Sequence, residues 1–205
     1  ALKVTVARLH ASLARDRRRS RQVAAVESVG RLLAATGPAP ETLERIVSLL
    51  REDLGYDFVS IYLGSSASVR LAAQRGYDTV IDEFDATSGV IGRVMRTRQI
   101  AFVPDVAVDP DYRAASGIVR AEISAPMLAD GELLGVVNVE ARRSAELDRS
   151  DVETMSLVAE RMATALALAR ERDRLAARAE RFRRLTAFAT AVNATLDPAR
   201  VHQAI

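Results

Sequence analysis

From Asp148 to Asp197 the chain contains neither glycine nor proline. A breaker-free stretch of that length reads as one long helix. Asp148 stands at its start as a cap, with Asp151 three residues on in a box-like position. Leu168, Leu175 and Phe182 then recur every seven residues, with Ala165, Ala179 and Leu185 between them. A heptad stripe of this kind calls for a partner helix. Residues 2–36 predict a second long helix. They hold no proline, and Leu2, Val6, Leu9 and Leu13 step by four, three and four. The register meets Asp16 and Ser20, breaks in the arginine run around residues 15–19, and resumes out of phase as Val23, Val26, Val29 and Leu33. Thr36-Gly37-Pro38 ends the helix.

Between these helices the hydrophobic period changes. Pro40 opens a short helix whose apolar face is Leu43, Ile46, Val47, Leu50 and Leu54. Residues 58–63 then alternate with period two, Val59, Ile61 and Leu63 on one face, Phe58, Ser60 and Tyr62 on the other. A second strand, 69–74, follows the turn at 64–68. Ser88 is positioned to cap a short helix carrying Val90, Ile91, Val94 and Met95. Residues 100–103 form a short strand, and 104–118 a loop with a helical turn. Residues 123–129 and 133–139 are strands joined across Asp130-Gly131, a type I′ hairpin signal. Helices outside and strands inside predict an α+β fold.

The 205 residues include no cysteine and only two histidines, His10 and His202. That excludes disulfides, thiol chemistry and thiolate metal sites. The net charge of +2 is unevenly spread. Residues 1–36 carry 8 basic and 2 acidic groups, residues 37–147 carry 11 and 17, and residues 148–205 carry 10 and 8. An acidic body between basic helices does not suit nucleic-acid binding. The arginine run wraps around its helix and reads as a solvated patch where the coiled coil loosens. No segment reads as a signal peptide or membrane span, so the expectation is a cytoplasmic setting without membrane insertion.

The chain also repeats itself. Val23, Val26, Val29, Leu33 and Thr36 match Phe182, Leu185, Phe188, Val192 and Thr195, each 159 residues later. Asp197-Pro198 then looks like the entry to another copy of the same unit. The expected organisation is an N-terminal signalling helix at 1–37, a core at 38–147, a C-terminal signalling helix at 148–196, and the start of a second, truncated unit at 197–205.

The ordered set of elements resembles the GAF domain family. Residues 122–140, with Pro126, the Asp130-Gly131 turn and Gly135, are its most specific stretch. The segments at 88–96 and 103–106 and the helix from Asp148 to Arg172 match the family's order. The resemblance implies an antiparallel sheet of about six strands, with helices on one face and a ligand pocket on the other, flanked by long coiled-coil helices. It also implies a tandem bacterial signalling protein with an output domain further along the same chain, such as a kinase, diguanylate cyclase or phosphatase. The family's bilin-binding and methionine-sulfoxide-reducing members use cysteine, and its haem-binding members a histidine in the domain. Its cyclic-nucleotide element is absent too, since Phe84 is followed by Asp85-Ala86-Thr87-Ser88. No bilin, haem or metal is therefore expected.

A noncovalent small-molecule ligand remains. Phe58, Ser60 and Tyr62 would line its pocket, or else form a half-solvated face. Ser124, Asn138 and Glu140 would supply placed polar groups, or else bond between strands. Tyr112 and Arg113, on a loop long enough to act as a lid, would close over the ligand. No catalytic constellation stands at a telling spacing, so the segment is expected to be non-enzymatic: a homodimeric sensor that relays signal through its helices. The alternatives are a ligand-free spacer and the sensory domain of a transcription regulator.

Overall fold

The computed structural model describes residues 2–113, 118–144 and 146–195. The proposed start of a second unit, 197–205, lies outside the described residues. The elements run α1 (Leu2–Thr36), α2 (Pro40–Leu54), β1 (Phe58–Gly64), β2 (Ser68–Arg75), β3 (Glu83–Asp85), α3 (Gly89–Thr97), β4 (Ala101–Val103), β5 (Ala121–Ala129), β6 (Glu132–Ala141) and α4 (Arg149–Thr195). A 3-10 turn, Val106–Val108, follows β4. The chain divides into two compact units, Ala1–Ala167 and Leu168–Ile205.

In the first unit, six antiparallel strands form one sheet in the order β3-β2-β1-β6-β5-β4. The period-two pattern divides its faces. Val59 and Ile61 of β1, Ile123 and Ala125 of β5, and Val137 and Val139 of β6 turn one way. They pack into a continuous core with Leu43, Ile46, Val47 and Leu50 of α2 and Met155, Val158 and Met162 of α4. Each fully buried aliphatic side chain of this kind contributes about 1.5–3 kcal/mol. Val26, Val29 and Leu33 of α1 belong to the same core. The second apolar series of α1 is thus occupied within the body, and only Val23, 54% exposed, faces outward from it. Leu9 and Leu13 are exposed, and the side chains of Leu2 and Val6 lie outside the described residues.

The opposite sheet face is also covered. Ile91, Val94 and Met95 of α3 pack with Tyr62, Val69, Phe84 and Val136, whereas a sheet with helices on one face only was expected. The strand β3 had no sequence signal of its own, being three residues long with only Phe84 buried. Ser88 occupies the cap position of α3 but makes no side-chain cap bond. The hairpin prediction holds: Asp130 has φ 49° and Gly131 φ 78°, both positive as a type I′ turn requires. Asp148 caps α4 through Ser150 N at 2.7 Å. Asp151 reaches back to Asp148 N at 2.8 Å, with an aspartate in the place usually taken by glutamate.

The arginine run is not simply a solvated patch. Arg18 donates to Asp151 Oδ2 at 2.6 Å, to Asp148 Oδ2 at 3.2 Å and to the Glu146 carbonyl at 3.1 Å. It fastens α1 to the start of α4. The second unit, taken by itself, is the helical stretch from Leu168. Leu168, Leu175, Phe182, Leu185 and Phe188 are all more than half exposed there. Among the described residues no helix is long and apolar enough to cross a membrane.

Candidate ligand-binding recess

The face of the sheet under α3 carries a polar patch built by strand register. Phe58 of β1 stands opposite Glu140 of β6, and Glu140 opposite Glu122 of β5. One step along, Ser60, Asn138 and Ser124 form the next row. Alternation puts both rows on the same face. Directly opposed residues hold their Cβ atoms about 4.5–5.5 Å apart, so each row is a set of true neighbours. All five polar members are buried: Ser124 has no exposure, Ser60 1%, Asn138 2%, Glu122 3% and Glu140 7%.

Hydrogen bonds link the patch. Ser124 Oγ donates to Glu122 Oε1 at 2.8 Å. With its amide turned toward β5, Asn138 donates to Glu122 Oε1 at 3.0 Å, Ser124 Oγ at 2.8 Å and the Ile123 carbonyl at 3.1 Å. In the opposite amide orientation Asn138 Nδ2 donates to Glu140 Oε1 at 3.4 Å. Three further oxygens are buried without a hydrogen-bond partner: Ser60 Oγ, Tyr112 Oη and Glu140 Oε2. Buried polar atoms in native proteins are normally paired, so these three oxygens are exceptions.

Electrostatics follow from burial. Glu140 is pushed up to about 7, chiefly by loss of solvent, with the Tyr77 hydroxyl and the Asn138 amide pulling it partway back. Glu122 is raised well above the ordinary carboxylate range by burial and then by repulsion from Glu140. The two titrate as a pair. Among the described residues neither forms a salt bridge. Burial also raises Tyr62, Tyr77 and Tyr112, so all three phenols stay protonated at neutral pH.

Aromatic rings wall the recess. Phe58 and Tyr77 have centroids 4.9 Å apart, and Tyr62 meets Phe84 edge-on at 5.3 Å. The Arg142 guanidinium lies 5.1 Å from the centroid of the Phe58 ring. The Tyr62 hydroxyl is taken, donating to the Ile81 carbonyl at 2.8 Å. Gly89 opens α3 at φ 72°, and a side chain there would press on Phe84 and Arg113. Between these walls lies a cavity of about 20 Å³, lined by Tyr62, Tyr77, Arg113, Glu122, Asn138 and Glu140 among others. That is room for about one water-sized group.

The structure thus brings Tyr62, Arg113, Asn138 and Glu140 to the cavity, with Phe58, Ser60, Ser124 and Tyr112 packed around it. Arg113 is exposed and stands at the rim. The loop bearing Tyr112 is tied down. Arg93 of α3 bonds Asp109 Oδ2 at 2.8 Å and Asp111 Oδ2 at 3.2 Å. Asp109, expected only to start a turn, does so through Asp111 N at 3.0 Å and also anchors the loop. Glu122 and Tyr77 were not among the expected site residues. Glu122 was legible, since it stands two positions before Ser124 and therefore on the same strand face. Tyr77 lies in an irregular link and had no periodic signal.

The GAF domain model matches residues 38–166, and the chain belongs to this family. A GAF domain-containing protein A of Dictyostelium discoideum is 22% identical over 116 residues, covering 57% of this chain and 73% of that protein. The free methionine-R-sulfoxide reductase of Neisseria meningitidis, solved with its substrate, superposes with a TM-score of 0.67 at 24% identity, over 71% of this chain and 88% of that one. The GAF domain of a phosphoenolpyruvate-protein phosphotransferase from Coxiella burnetii gives 0.67 at 18% identity, over 76% and 98%. These likenesses establish a shared fold. They also overturn the expectation of a non-enzymatic segment, because reductases are built on this same fold. Catalytic groups converge in space, and spacing along the sequence does not reveal them.

Proposed function

We propose that this chain is a regulatory GAF module that binds a small polar molecule noncovalently in the recess between the sheet and α3. The observation that carries the reading is the buried row of Glu122, Asn138 and Glu140 with orphaned oxygens beside it. A spacer domain would gain nothing from two opposed buried carboxylates, which cost stability unless something compensates them. The cavity is small, so a ligand larger than its buried headgroup would displace Arg113 or Tyr112 at the rim. Tyr112 sits on the segment that Arg93 ties to α3, so displacement there would strain that tie. The other sheet face packs on α4, which gives a strand shift a mechanical route to a helix.

The relay would use a homodimer. Leu9, Leu13 and Val23 on α1 and Leu157 on α4 are exposed in the first unit, and a groove of about 580 Å³ between α1 and α4 is lined by Val23, Val26 and Leu157. The second unit exposes a seven-residue repeat of Leu168, Leu175 and Phe182. Exposed heptad positions of this kind suit a second copy of the chain. The signal would pass along them to an output domain. A switch of this type needs two states that the ligand binds with different affinity.

The test is a thermal-shift screen of amino acids, nucleotides, purines and organic acids. A ligand at a thousandfold over its Kd adds about 4 kcal/mol of stability. Stabilisation by one chemical class supports a sensor. A flat response across all classes favours the spacer.

A further inference from the structure

The recess has a specific chemical demand. Glu122 and Glu140 stand directly opposite one another on neighbouring strands, both buried. Like charges in that relation repel, and no described cation is salt-bridged to either. Glu140 Oε2 is buried without a hydrogen bond, and the hydroxyls of Ser60 and Tyr112 are buried unpaired as well. The site therefore concentrates two opposed carboxyl groups around a space of about 20 Å³.

Resting on the sensor reading above, we propose that the recess binds a protonated primary amine, with its ammonium group seated between Glu122 and Glu140. An ammonium is the size of the cavity. It carries one positive charge and three N–H donors, and no acceptor that would compete with the oxygens present. The aromatic walls suit the same guest, because ring faces attract a cation. Tyr62, Tyr77 and Phe84 line the cavity together with Glu122 and Glu140, and the tail of the amine leaves past Arg113. A divalent metal fits less well. Among the described residues no third carboxylate or histidine joins the pair, and hard cations take six or more oxygen ligands. An anionic or purely neutral headgroup would leave the opposed carboxylates uncompensated.

Until the amine arrives, burial keeps a proton on the pair. Binding then exchanges that proton for the ammonium, and the carboxylate proton leaves to solvent.

The test uses n-butylamine, n-butanol, butyrate, magnesium and calcium, each titrated into the whole chain at pH 7 and matched ionic strength. Binding is followed by calorimetry in two buffers of different ionisation enthalpy and by thermal shift. Butylammonium alone should stabilise the protein, with proton release. Glu140→Gln and Glu122→Gln, which keep size and shape, should each weaken its binding at least tenfold. A denaturation curve on each variant verifies that it is folded. If a variant does not fold, the ligand comparison on the wild type still decides. Equal or better binding of butanol, butyrate or a divalent cation overturns the amine assignment and leaves a sensor standing. So does failure of every probe here when the broader screen finds a stabilising class. Failure of both sets of compounds overturns the amine assignment and the sensor together.

Discussion

Arg18 Nη2 stands 2.6 Å from Asp151 Oδ2, joining the middle of α1 to the first turn of α4. The aspartate side chain is only 2% exposed and serves four donors in all. Gln22 Nε2 reaches its Oδ1 at 3.1 Å, Tyr56 Oη at 3.0 Å, and Asp148 N its Oδ2 at 2.8 Å. One carboxylate thus holds α1, the junction between α2 and β1, and the cap of α4.

Removing that carboxylate should cost more than removing its arginine. Asp151→Ala strands the buried Tyr56 hydroxyl and the Gln22 amide, and should destabilise by about 3 kcal/mol or more. Arg18 is 37% exposed, so Arg18→Ala should cost only about 1 kcal/mol. Urea denaturation of the two variants measures both values. Equal losses would mean that the ion pair alone matters and the other donors are incidental.

The acid row predicts an unusual pH profile. Glu140 has a folded pKa of about 7, above its ordinary carboxylate value, so between roughly pH 4.5 and 7 the folded state holds more protons than the unfolded one. This contribution is full below the unfolded pKa and is lost as pH rises toward 7. Glu122 shifts in the same direction. Tyr77, Tyr112 and Arg93 also face the pair, and none of them changes charge in this window. Glu140→Gln should flatten the slope and be more stable relative to wild type at pH 8 than at pH 5. Parallel stability curves for the two proteins would remove the pair from the account.

Core and helix positions should separate cleanly. Met162 is fully buried in the α4 layer, and Met162→Ala should cost about 2–5 kcal/mol. Leu175 and Phe182 are 56% and 71% exposed. Leu175→Ser with Phe182→Ser should leave the unfolding free energy of the first unit within about 0.5 kcal/mol while shifting sedimentation from dimer to monomer. A wild-type monomer at micromolar concentration would end the dimer proposal.

Much of this fold could be read from periodicity. The alternation at residues 58–63 assigned both faces of β1, and Asp130-Gly131 located the central hairpin. The long helices were legible, but not what covers them. Val26, Val29 and Leu33 look the same in a sequence whether they face a partner chain or their own domain, and here they join their own core, with α1 packed on α2. The strand β3 was too short to carry a pattern. At the site, Ser60, Ser124, Asn138 and Glu140 were found as polar residues breaking apolar strands. The juxtaposition of Glu122 with Glu140 was not, because it depends on the register between β5 and β6, and the hairpin turn sets that register only once its type is known.

The central claim is that the buried carboxylate row is a ligand-binding site. A thermal-shift screen run in parallel on the wild type and on the Glu122→Gln, Glu140→Gln double variant tests it most directly. The account predicts at least one compound that raises the wild-type Tm by several degrees and leaves the double variant unmoved. Equal shifts in both proteins, or none in the wild type, would contradict it.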